Sequence, residues 1–297
     1  MNCKQYYSEL LQFVEDKLQF YTDYSTNIYQ SQVMEAMRYS LLGGGKRIRA
    51  VLALEFCKAF SGDRDAAAAA ACALEMVHAY SLIHDDLPCM DDDDMRRGKP
   101  SSHKQFGEAL AVLAGDGLLT LAFETLSRDD TVEKLGAKKA IDLVKALSFA
   151  SGEYGMLGGQ VIDVMNEGKS LEQQVHSDMV AMKTGALIKA AVNCGCISGG
   201  ADAQQTEKAL EYAELIGRAF QITDDILDVV GDSALLGKNV GSDEKDNKVT
   251  FVSMYGVEKA QQMADDMFCR AKEILCSLLP DNEFLLWLTD LLAHRTS

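Results

Sequence analysis

The chain has 297 residues, 47% of them hydrophobic and 25% charged, which suits one large domain or two small ones with a substantial core. Its 45 acidic residues outnumber the 29 basic ones and give a formal net charge of −16, which argues against nucleic acid and anionic membranes as partners. Such a chain can bind an anionic substrate only where cations reverse the local field.

Composition predicts an all-α fold in a reducing compartment. The sequence is rich in alanine, has 3 prolines and contains no run of alternating β-branched residues. Its 8 cysteines form no CxxC pair, which favours reduced core thiols over disulfides or zinc ligands. The first 18 residues form a charged amphipathic segment rather than a signal peptide, and no 18-residue uncharged apolar run occurs. We therefore expect a cytoplasmic protein without a membrane span.

The first elements in chain order lead to a basic segment. We predict helices over 4–21 and 33–42, a turn at Gly43–Gly45, and a further helix that runs to Phe60. Glycines let a backbone approach a ligand closely, and a helix N-terminus with basic side chains favours phosphate. The basic residues that follow the glycines are Lys46, Arg47 and Arg49. A flexible turn before a basic helix start is the simpler interpretation, because the spacing of a P-loop is missing.

A long helix over 66–83 leads into an acidic loop. Pro88 removes a helical hydrogen bond and disfavours helix at the residue before it, so the helix should end near Asp86. The chain can then fold Asp91 back toward Asp85. Helical spacing places three polar side chains on one stripe: His78, Ser81 and Asp85.

The acidic loop carries six carboxylates within ten residues, followed at once by two arginines. These residues are Asp85, Asp86, Asp91, Asp92, Asp93 and Asp94, then Arg96 and Arg97. Crowded carboxylates repel one another unless a cation neutralises them. Oxygen ligands with arginines alongside suggest Mg²⁺ or Mn²⁺ shared with a phosphorylated substrate. A solvated acidic loop is the simpler interpretation of this run alone, and the pattern of a calcium-binding loop is missing.

The middle of the chain reads as further helices over 108–126, 137–151, 153–166 and 171–197. The last of these should be interrupted at Lys183-Thr184-Gly185, because glycine weakens a helix and a threonine hydroxyl can bend it. A kink there would direct Lys183 inward, although kinks are more often packing adjustments. Gln160 and Asp163 lie one turn apart, which fits either a hydrogen-bonded core pair or a supporting role at a site.

A second acidic motif lies on a helix that we expect to end at Gly231. Four polar residues share one face of this helix at i, i+3, i+4 and i+7, namely Gln221, Asp224, Asp225 and Asp228. Like charges at this spacing destabilise a helix, so a cation that binds them is the obvious gain. A polar loop with Lys238 and Lys248 and two terminal helices, about 256–279 and 282–295, complete the chain. With no linker composition, we expect a single domain over 1–297.

Together these segments resemble the trans-isoprenyl diphosphate synthases (short-chain polyprenyl synthetases), and most of all the bacterial farnesyl type. The matching motifs keep the family's order and are GGKRIR, HAYSLIHDDLPCMDDDDMRRGKPSSH, LAGDGLLTLAF, GGQVID, KTGALI, FQITDDILDVVGD and LGKNVGSD. The resemblance implies an all-α, single-domain orthogonal helical bundle around a deep central cavity, as a homodimer. It also implies condensation of isopentenyl diphosphate with dimethylallyl and geranyl diphosphate to give farnesyl diphosphate.

The resemblance also implies a role for each matching residue. The Mg²⁺ (or Mn²⁺) ligands would be Asp85, Asp86, Asp91, Asp224, Asp225 and Asp228. Residues that contact the allylic diphosphate would be Arg96, Lys183 and Lys238, and those of the isopentenyl diphosphate pocket Lys46, Arg49, His78 and Arg97. Thr184 and Gln221 would lie beside the reacting carbons, and Lys248 near the cavity mouth. The catalytic set implied in this way is Asp85, Asp91, Lys183, Thr184, Gln221 and Asp224.

Product length and two departures follow from the same resemblance. Tyr80, five residues before the first aspartate, would act with Ser81 as a floor for the growing chain, as in farnesyl producers. Ala50 replaces a proline common in the family, and Val252 ends a segment that often reads Lys-x-Thr-Tyr-Pro. Both departures put local backbone geometry, rather than activity, in doubt.

Three other interpretations stay open. A longer-chain synthase, such as one that makes geranylgeranyl diphosphate, differs only in product. A metal-dependent phosphohydrolase of the HD type would use His84-Asp85 with His78 and Asp224, but it leaves Lys46, Arg49 and Lys183 unexplained. A catalytically silent partner subunit would usually lose aspartates that this chain retains.

Overall fold

A computed structural model describes residues 2–24, 29–60, 62–169, 171–230 and 249–295. These residues are almost entirely helical, which confirms the predicted all-α class. Five residues, Ala181–Gly185, form a π-helical turn, and one two-stranded antiparallel hairpin joins β1 (Met95–Arg96) to β2 (Lys99–Pro100). The α-helices are α1 (Cys3–Tyr21), α2 (Ser31–Leu41), α3 (Ile48–Ala59), α4 (Arg64–Asp85), α5 (Ser102–Phe106), α6 (Glu108–Ser127), α7 (Asp129–Leu135), α8 (Ala137–Ser151), α9 (Met156–Asn166), α10 (Gln173–Val180), α11 (Ala186–Gly199), α12 (Ala203–Val230), α13 (Phe251–Tyr255), α14 (Val257–Leu278) and α15 (Glu283–Ala293).

The chain divides into two compact units. The N-terminal unit comprises Asn2–Lys145 with Ile197–Gly200, and the C-terminal unit comprises Ala146–Cys196 with Ala201–Ser297. Each unit contains one of the two aspartate motifs, so each is described by itself. That the whole chain forms a single catalytic domain stays a prediction.

The N-terminal unit is organised around α4, which packs against α3 and α6. Alanines fill most of the first half of α4 and are buried. Their small side chains let neighbouring helices approach closely and pack without voids. Asp63 caps the start of the helix by accepting a hydrogen bond from Asp65 N at 3.3 Å, as expected for an N-cap aspartate. The result is a rigid support for the residues at the C-terminal end of α4.

A buried arginine ties the start of α3 to α4. Arg47 precedes α3 with a left-handed backbone (φ 48°), and its guanidinium pairs with Glu75 at 3.3 Å and with Glu15 at 2.8 Å. Glu75 also accepts a hydrogen bond from Ala50 N at 3.2 Å. A proline at position 50 has no N–H to donate, so the departure from the family pattern supplies a partner for a buried carboxylate.

The C-terminal unit is organised around α12, which packs against α14 and against the π turn. The buried Tyr212 hydroxyl of α12 lies 2.8 Å from Thr289 Oγ1 of α15. Thr250 and Ser253 form a reciprocal capping box at the start of α13. The Tyr212 contact ties α12, which carries the second aspartate motif, to α15.

The predicted interruption of the long helical stretch is present as the π turn rather than as a plain kink. It separates α10 from α11 and contains Lys183, Thr184 and Gly185. Short π segments widen the helix and occur frequently at functional sites.

Most predicted helices match the structure within a few residues. The sequence reading missed the two-residue strands and the short helices α5, α7 and α13, which lack a full apolar period. The predicted polar loop lies outside the described residues, and so do Lys238 and Lys248.

Three helical stretches are long and apolar enough to cross a membrane by length and composition: Arg64–Asp85, Glu108–Ser127 and Gln173–Gly199. In the first of them, 72% of the most apolar window is buried inside the protein. Internal packing therefore accounts for the composition of α4. The absence of a membrane span stays a prediction.

The buried Arg47–Glu75 pair gives a test of stability. Arg47→Met should lower the free energy of unfolding by about 3–5 kcal/mol, because it leaves Glu75 buried without its cation. The double variant Arg47→Met/Glu75→Leu should recover much of this loss, since it removes both charges. Urea unfolding followed by circular dichroism measures both values.

The matched control is Lys138→Met, which removes an exposed ion pair to Asp142 and should change stability by less than about 1 kcal/mol. If Arg47→Met costs no more than this control, the buried pair does not hold α3 against α4.

Candidate active site in two half-sites

Each unit contains its own cluster of predicted site residues, named the first half-site in the N-terminal unit and the second half-site in the C-terminal unit. The first half-site begins at the C-terminal end of α4. The helix ends at Asp85 with Asp86 as its cap, as Pro88 predicts. The chain then turns so that Asp91 N donates a hydrogen bond to Asp85 O at 2.8 Å. This contact confirms that the loop folds Asp91 back toward Asp85.

Asp86 is engaged differently from its neighbours. Its side chain is 3% exposed and receives a two-pronged contact from the guanidinium of Arg96, with Arg96 Nε 3.0 Å from Asp86 Oδ1. Burial raises the pKa of the Asp86 carboxyl, and the charge of Arg96 opposes that rise. Arg96 also pairs with Asp93 at 3.0 Å. Asp86 therefore orients an arginine, whereas Asp85 and Asp91 are more exposed.

A pocket lined by cationic side chains adjoins this helix end within the N-terminal unit. The cationic residues in its lining are Arg47, Arg96, Arg97 and Lys99, and His78 also lines it. The same lining includes only two carboxylates, Glu75 and Asp86, and each is paired with an arginine. In a chain of net charge −16, this pocket is a local reversal of the field that an anionic ligand needs.

The turn at Gly43–Gly45 borders this pocket and leaves room for the side chain of Arg97. Arg97 donates a hydrogen bond to Gly44 O, and a Cβ added at Gly45 would lie 3.0 Å from the Arg97 guanidinium. Gly45 also has φ +134°, which side chains rarely adopt. The sequence left two interpretations open here, a flexible turn or close approach of a ligand, and the structure places the Arg97 side chain against these glycines. Lys46 precedes α3, and Arg49 lies in its first turn.

His78 lines the pocket in its neutral form. Burial and the charges of nearby arginines, Arg49 and Arg97 first among them, lower the pKa of His78 well below its ordinary value. A neutral imidazole can donate or accept a hydrogen bond without adding to the local positive charge. Ser81 Oγ donates to His78 O at 3.0 Å, so its hydroxyl is used within α4.

Tyr80 lies one turn before the helix end. Its ring packs edge-on against His84, with ring centroids 5.8 Å apart. Burial and the charge of Asp85 raise the pKa of the Tyr80 hydroxyl. The tyrosine is thus a half-buried, bulky neighbour of the first aspartate. Its role as a floor for the product stays a prediction.

His84 faces α6. Its Nε2 lies 3.1 Å from Val112 O, and a Cβ added at Gly115 would meet this imidazole at 2.1 Å. His84 therefore has a packing role against Gly115 of α6. An HD-type metal site would require His84 to act as a ligand beside Asp85, so this geometry disfavours the phosphohydrolase interpretation.

The second half-site lies in the C-terminal unit, and hydrogen bonds join its side chains to one another. Thr184 Oγ1 of the π turn donates to Gln221 Oε1 of α12 at 2.8 Å, and Gln221 Nε2 donates to Asp225 Oδ1 at 2.9 Å. Asp225 Oδ2 accepts from Phe251 N at 2.8 Å. The structure therefore brings Thr184 and Gln221 together, and both oxygens of the buried Asp225 position other groups.

Lys183 is held by Asp163. The ammonium lies 2.5 Å from Asp163 Oδ2, with both side chains mostly buried. A Cβ added at Gly159 would lie 2.2 Å from Lys183 N, so α9 approaches the π turn as closely as only glycine allows. This contact links Asp163 directly to Lys183.

Asp224 pairs with an arginine that no sequence pattern points to. Arg295 Nη2 lies 2.8 Å from Asp224 Oδ1, and the same guanidinium stacks 3.7 Å from the Phe220 ring centroid. No spacing links Arg295 to the α12 motif, because it follows the last helix, far along the chain. Asp228, one turn after Asp224, is buried.

The donor sets of both half-sites suit a hard divalent cation. Carboxylate oxygens are the ligands that Mg²⁺ and Mn²⁺ prefer. Asp85 and Asp91 are brought together by the loop, and Asp224 and Asp228 share one face of α12. Asp86 and Asp225 have partners within the protein, and so does Asp224 through Arg295. A cation bound at these carboxylates would share them with those partners.

The neutral state of His78 gives a pH test. Unfolded histidine takes up a proton below about pH 6.5, whereas folded His78 does not until a much lower pH. The free energy of unfolding should therefore fall as the pH drops from 7 to 5. His78→Gln should flatten this fall by at most about 1.4 kcal/mol per pH unit. Thermal or urea unfolding at each pH measures the slope, and parallel curves for the two proteins would contradict the assignment.

Comparison with known proteins identifies a family and several relatives that this chain resembles. The polyprenyl synthetase family model matches residues 30–274. The farnesyl diphosphate synthase of Geobacillus stearothermophilus is 41% identical over 295 residues, which cover 99% of this chain and 98% of that protein. The chloroplastic geranylgeranyl pyrophosphate synthase of Catharanthus roseus is 42% identical over 266 residues, or 89% of this chain and 74% of that protein. The apo crystal structure of an FPP/GFPP synthase from Zymomonas mobilis has a TM-score of 0.87 at 35% identity and covers 98% of this chain and 99% of that one.

Proposed function

Because the chain belongs to the polyprenyl synthetase family, we propose that it is a farnesyl diphosphate synthase. It joins isopentenyl diphosphate to dimethylallyl diphosphate and then to geranyl diphosphate, head to tail, and releases diphosphate at each step. The observation that carries this proposal is the pocket of cations beside the aspartate-bearing end of α4. Such a pairing suits a substrate that is itself a complex of diphosphate and metal.

Divalent cations are part of the proposal. Mg²⁺ would be held by Asp85 and Asp91 and by Asp224 with Asp228, while Asp86 and Asp225 orient neighbouring groups. When bound, the metal supplies charge neutralisation for a diphosphate leaving group. We propose that both half-sites serve the same reaction, over one domain that spans the chain.

The basic residues would divide between the two substrates. Arg96 and Lys183, with Lys238 outside the described residues, would bind the allylic diphosphate. The contacts of Arg96 with Asp86 and of Lys183 with Asp163 order these side chains before substrate arrives. Preorganised cations stabilise departing negative charge without a reorganisation cost. The residues assigned to isopentenyl diphosphate are Lys46, Arg49, His78 and Arg97, and Lys248 would lie at the cavity mouth.

Polar groups of the π turn and α12 would stabilise the allylic cation that ionisation leaves. Thr184 Oγ1 and Gln221 Oε1, which already share a hydrogen bond, present oxygen atoms for this purpose. The double bond of isopentenyl diphosphate then attacks the cation, and a proton leaves the adjacent carbon. The departing diphosphate accepts that proton, so no side-chain base is needed. Exclusion of water protects the cation from capture.

Product length is proposed from Tyr80 and Ser81. A half-buried aromatic ring beside Asp85 would stop elongation at fifteen carbons. A geranylgeranyl diphosphate synthase is the second candidate, because a relative of that name is 42% identical to this chain.

The protein would act as a homodimer in the cytoplasm, where its cysteines stay reduced. Incubation with labelled isopentenyl diphosphate and each allylic starter, followed by product analysis, tests the proposal.

The metal assignment predicts the effect of removing single aspartates. Asp85→Ala and Asp224→Ala should each lower kcat by roughly 10²- to 10³-fold or more, because each loses a ligand that neutralises the leaving group. Circular dichroism should remain that of a folded helical protein. Asp265→Ala on α14 is the matched control, because this aspartate is exposed and bonds only a neighbouring glutamine in its own helix among its described hydrogen bonds. Near-normal turnover in either active-site variant would count against the metal assignment.

The floor assignment predicts a change of product. Tyr80→Ala should shift products from fifteen toward twenty carbons, because removal of the ring opens space beside Asp85. Chromatography of the dephosphorylated products measures the chain length. Tyr80→Phe keeps the ring and should keep the fifteen-carbon product. An unchanged product in Tyr80→Ala would refute the floor role.

A further inference from the structure

A cluster of three potential metal ligands lies beyond the aspartates assigned above. It consists of Asp92, Asp94 and His103, whose ligand atoms all lie within 4.8 Å of one another. The β1–β2 hairpin produces this arrangement: Ser101 N donates to Asp94 O at 2.9 Å, which places α5 beside the acidic loop. Asp92 N donates to Leu87 O at 3.1 Å and fixes the other side of the loop. These backbone contacts bring His103 of α5 next to Asp92 and Asp94 of the acidic loop.

His103 provides the independent sign of a ligand. Its side chain is 3% exposed, yet its buried Nε2 has no hydrogen-bond partner in the described structure. Buried polar atoms are nearly always satisfied, so such an atom requires an explanation. Nε2 lies 3.8 Å from Asp92 Oδ1, too far for a hydrogen bond. The other ring nitrogen, Nδ1, lies 3.1 Å from Ser101 Oγ.

The ring geometry matches that of a metal-ligating histidine. Such histidines bind the metal through one nitrogen and use the other in a hydrogen bond that fixes the ring. Here Ser101 holds Nδ1, while Nε2 lies near Asp92 in the cluster that also contains Asp94. We propose that Asp92, Asp94 and His103 form a binding site for a divalent first-row transition-metal ion, separate from the catalytic aspartates. One imidazole with two carboxylates suits Mn²⁺ or Zn²⁺ better than Mg²⁺.

Lys104 is the resident cation that this ion replaces. Its ammonium lies 2.7 Å from Asp94 Oδ1 and 3.9 Å from Asp92 Oδ1. The side chain is 42% exposed, so it can swing into solvent. A bound ion would tie the acidic loop to α5, and its role is structural because none of its ligands is assigned to substrate.

The test uses Mn²⁺ and the full-length protein without any diphosphate. Electron paramagnetic resonance counts bound Mn²⁺, and electron spin echo modulation detects a nitrogen ligand. We expect nitrogen modulation in the wild type and its loss in His103→Gln. Asp92→Asn and Asp94→Asn should weaken the nitrogen-coordinated Mn²⁺ by at least the roughly 10- to 100-fold typical of removing an outer partner. Asp92 and Asp94 are exposed, so these variants should fold even if His103→Gln does not.

Asp93→Asn is the matched control, because Asp93 lies between the two ligands in sequence but pairs with Arg96. It should keep the nitrogen signal. Lys104→Gln should bind Mn²⁺ more tightly, since it removes the competing ammonium. Absence of nitrogen modulation in the wild type, its survival in His103→Gln, or equal affinity in Lys104→Gln would each overturn the proposal. Prenyl transfer does not enter any of these measurements.

Discussion

The pairing of a carboxylate with a cation is the interaction on which both half-sites depend. Asp86 with Arg96 and Glu75 with Arg47 occur in the N-terminal unit. Asp163 with Lys183 and Asp224 with Arg295 occur in the C-terminal unit. Burying a charge without a partner costs several kcal/mol, so a site rich in both signs is stable only when they are interleaved. Each pair also sets the direction in which an arginine or lysine extends.

This interleaving reconciles the acidic composition with an anionic substrate. A net charge of −16 would repel diphosphates on average. The pocket beside α4 escapes that field because its cations outnumber its carboxylates, and each carboxylate there is already paired. Asp85 and Asp91 are more exposed than Asp86, and their carboxylate oxygens are of the type that divalent cations prefer.

The second half-site also requires that the backbones of α9 and α12 approach the π turn closely. Gly159 lets α9 approach the π turn at Lys183, and Gly217 of α12 faces Gly185 across the same turn, where a Cβ would lie 3.2 Å from Gly185 Cα. The π turn is therefore enclosed on two sides by glycine contacts. These contacts hold Thr184 within hydrogen-bond distance of Gln221. The packing of small residues thus determines the geometry of polar ones.

The sequence by itself determined the all-α class, most helix bounds and the two aspartate motifs, because apolar periodicity, proline and like-charge spacing act within a few residues. It also placed the break at Lys183–Gly185, although not its form as a π turn. Only the tertiary structure decided which aspartates are buried against a cation, that Arg295 reaches Asp224, and that His103 faces Asp92. Those contacts join residues on different elements, and local spacing carries no information about which side chains will meet. Burial likewise depends on the surrounding fold, so the sequence could not show that Asp86 is more buried than Asp85, or Asp225 more buried than Asp224.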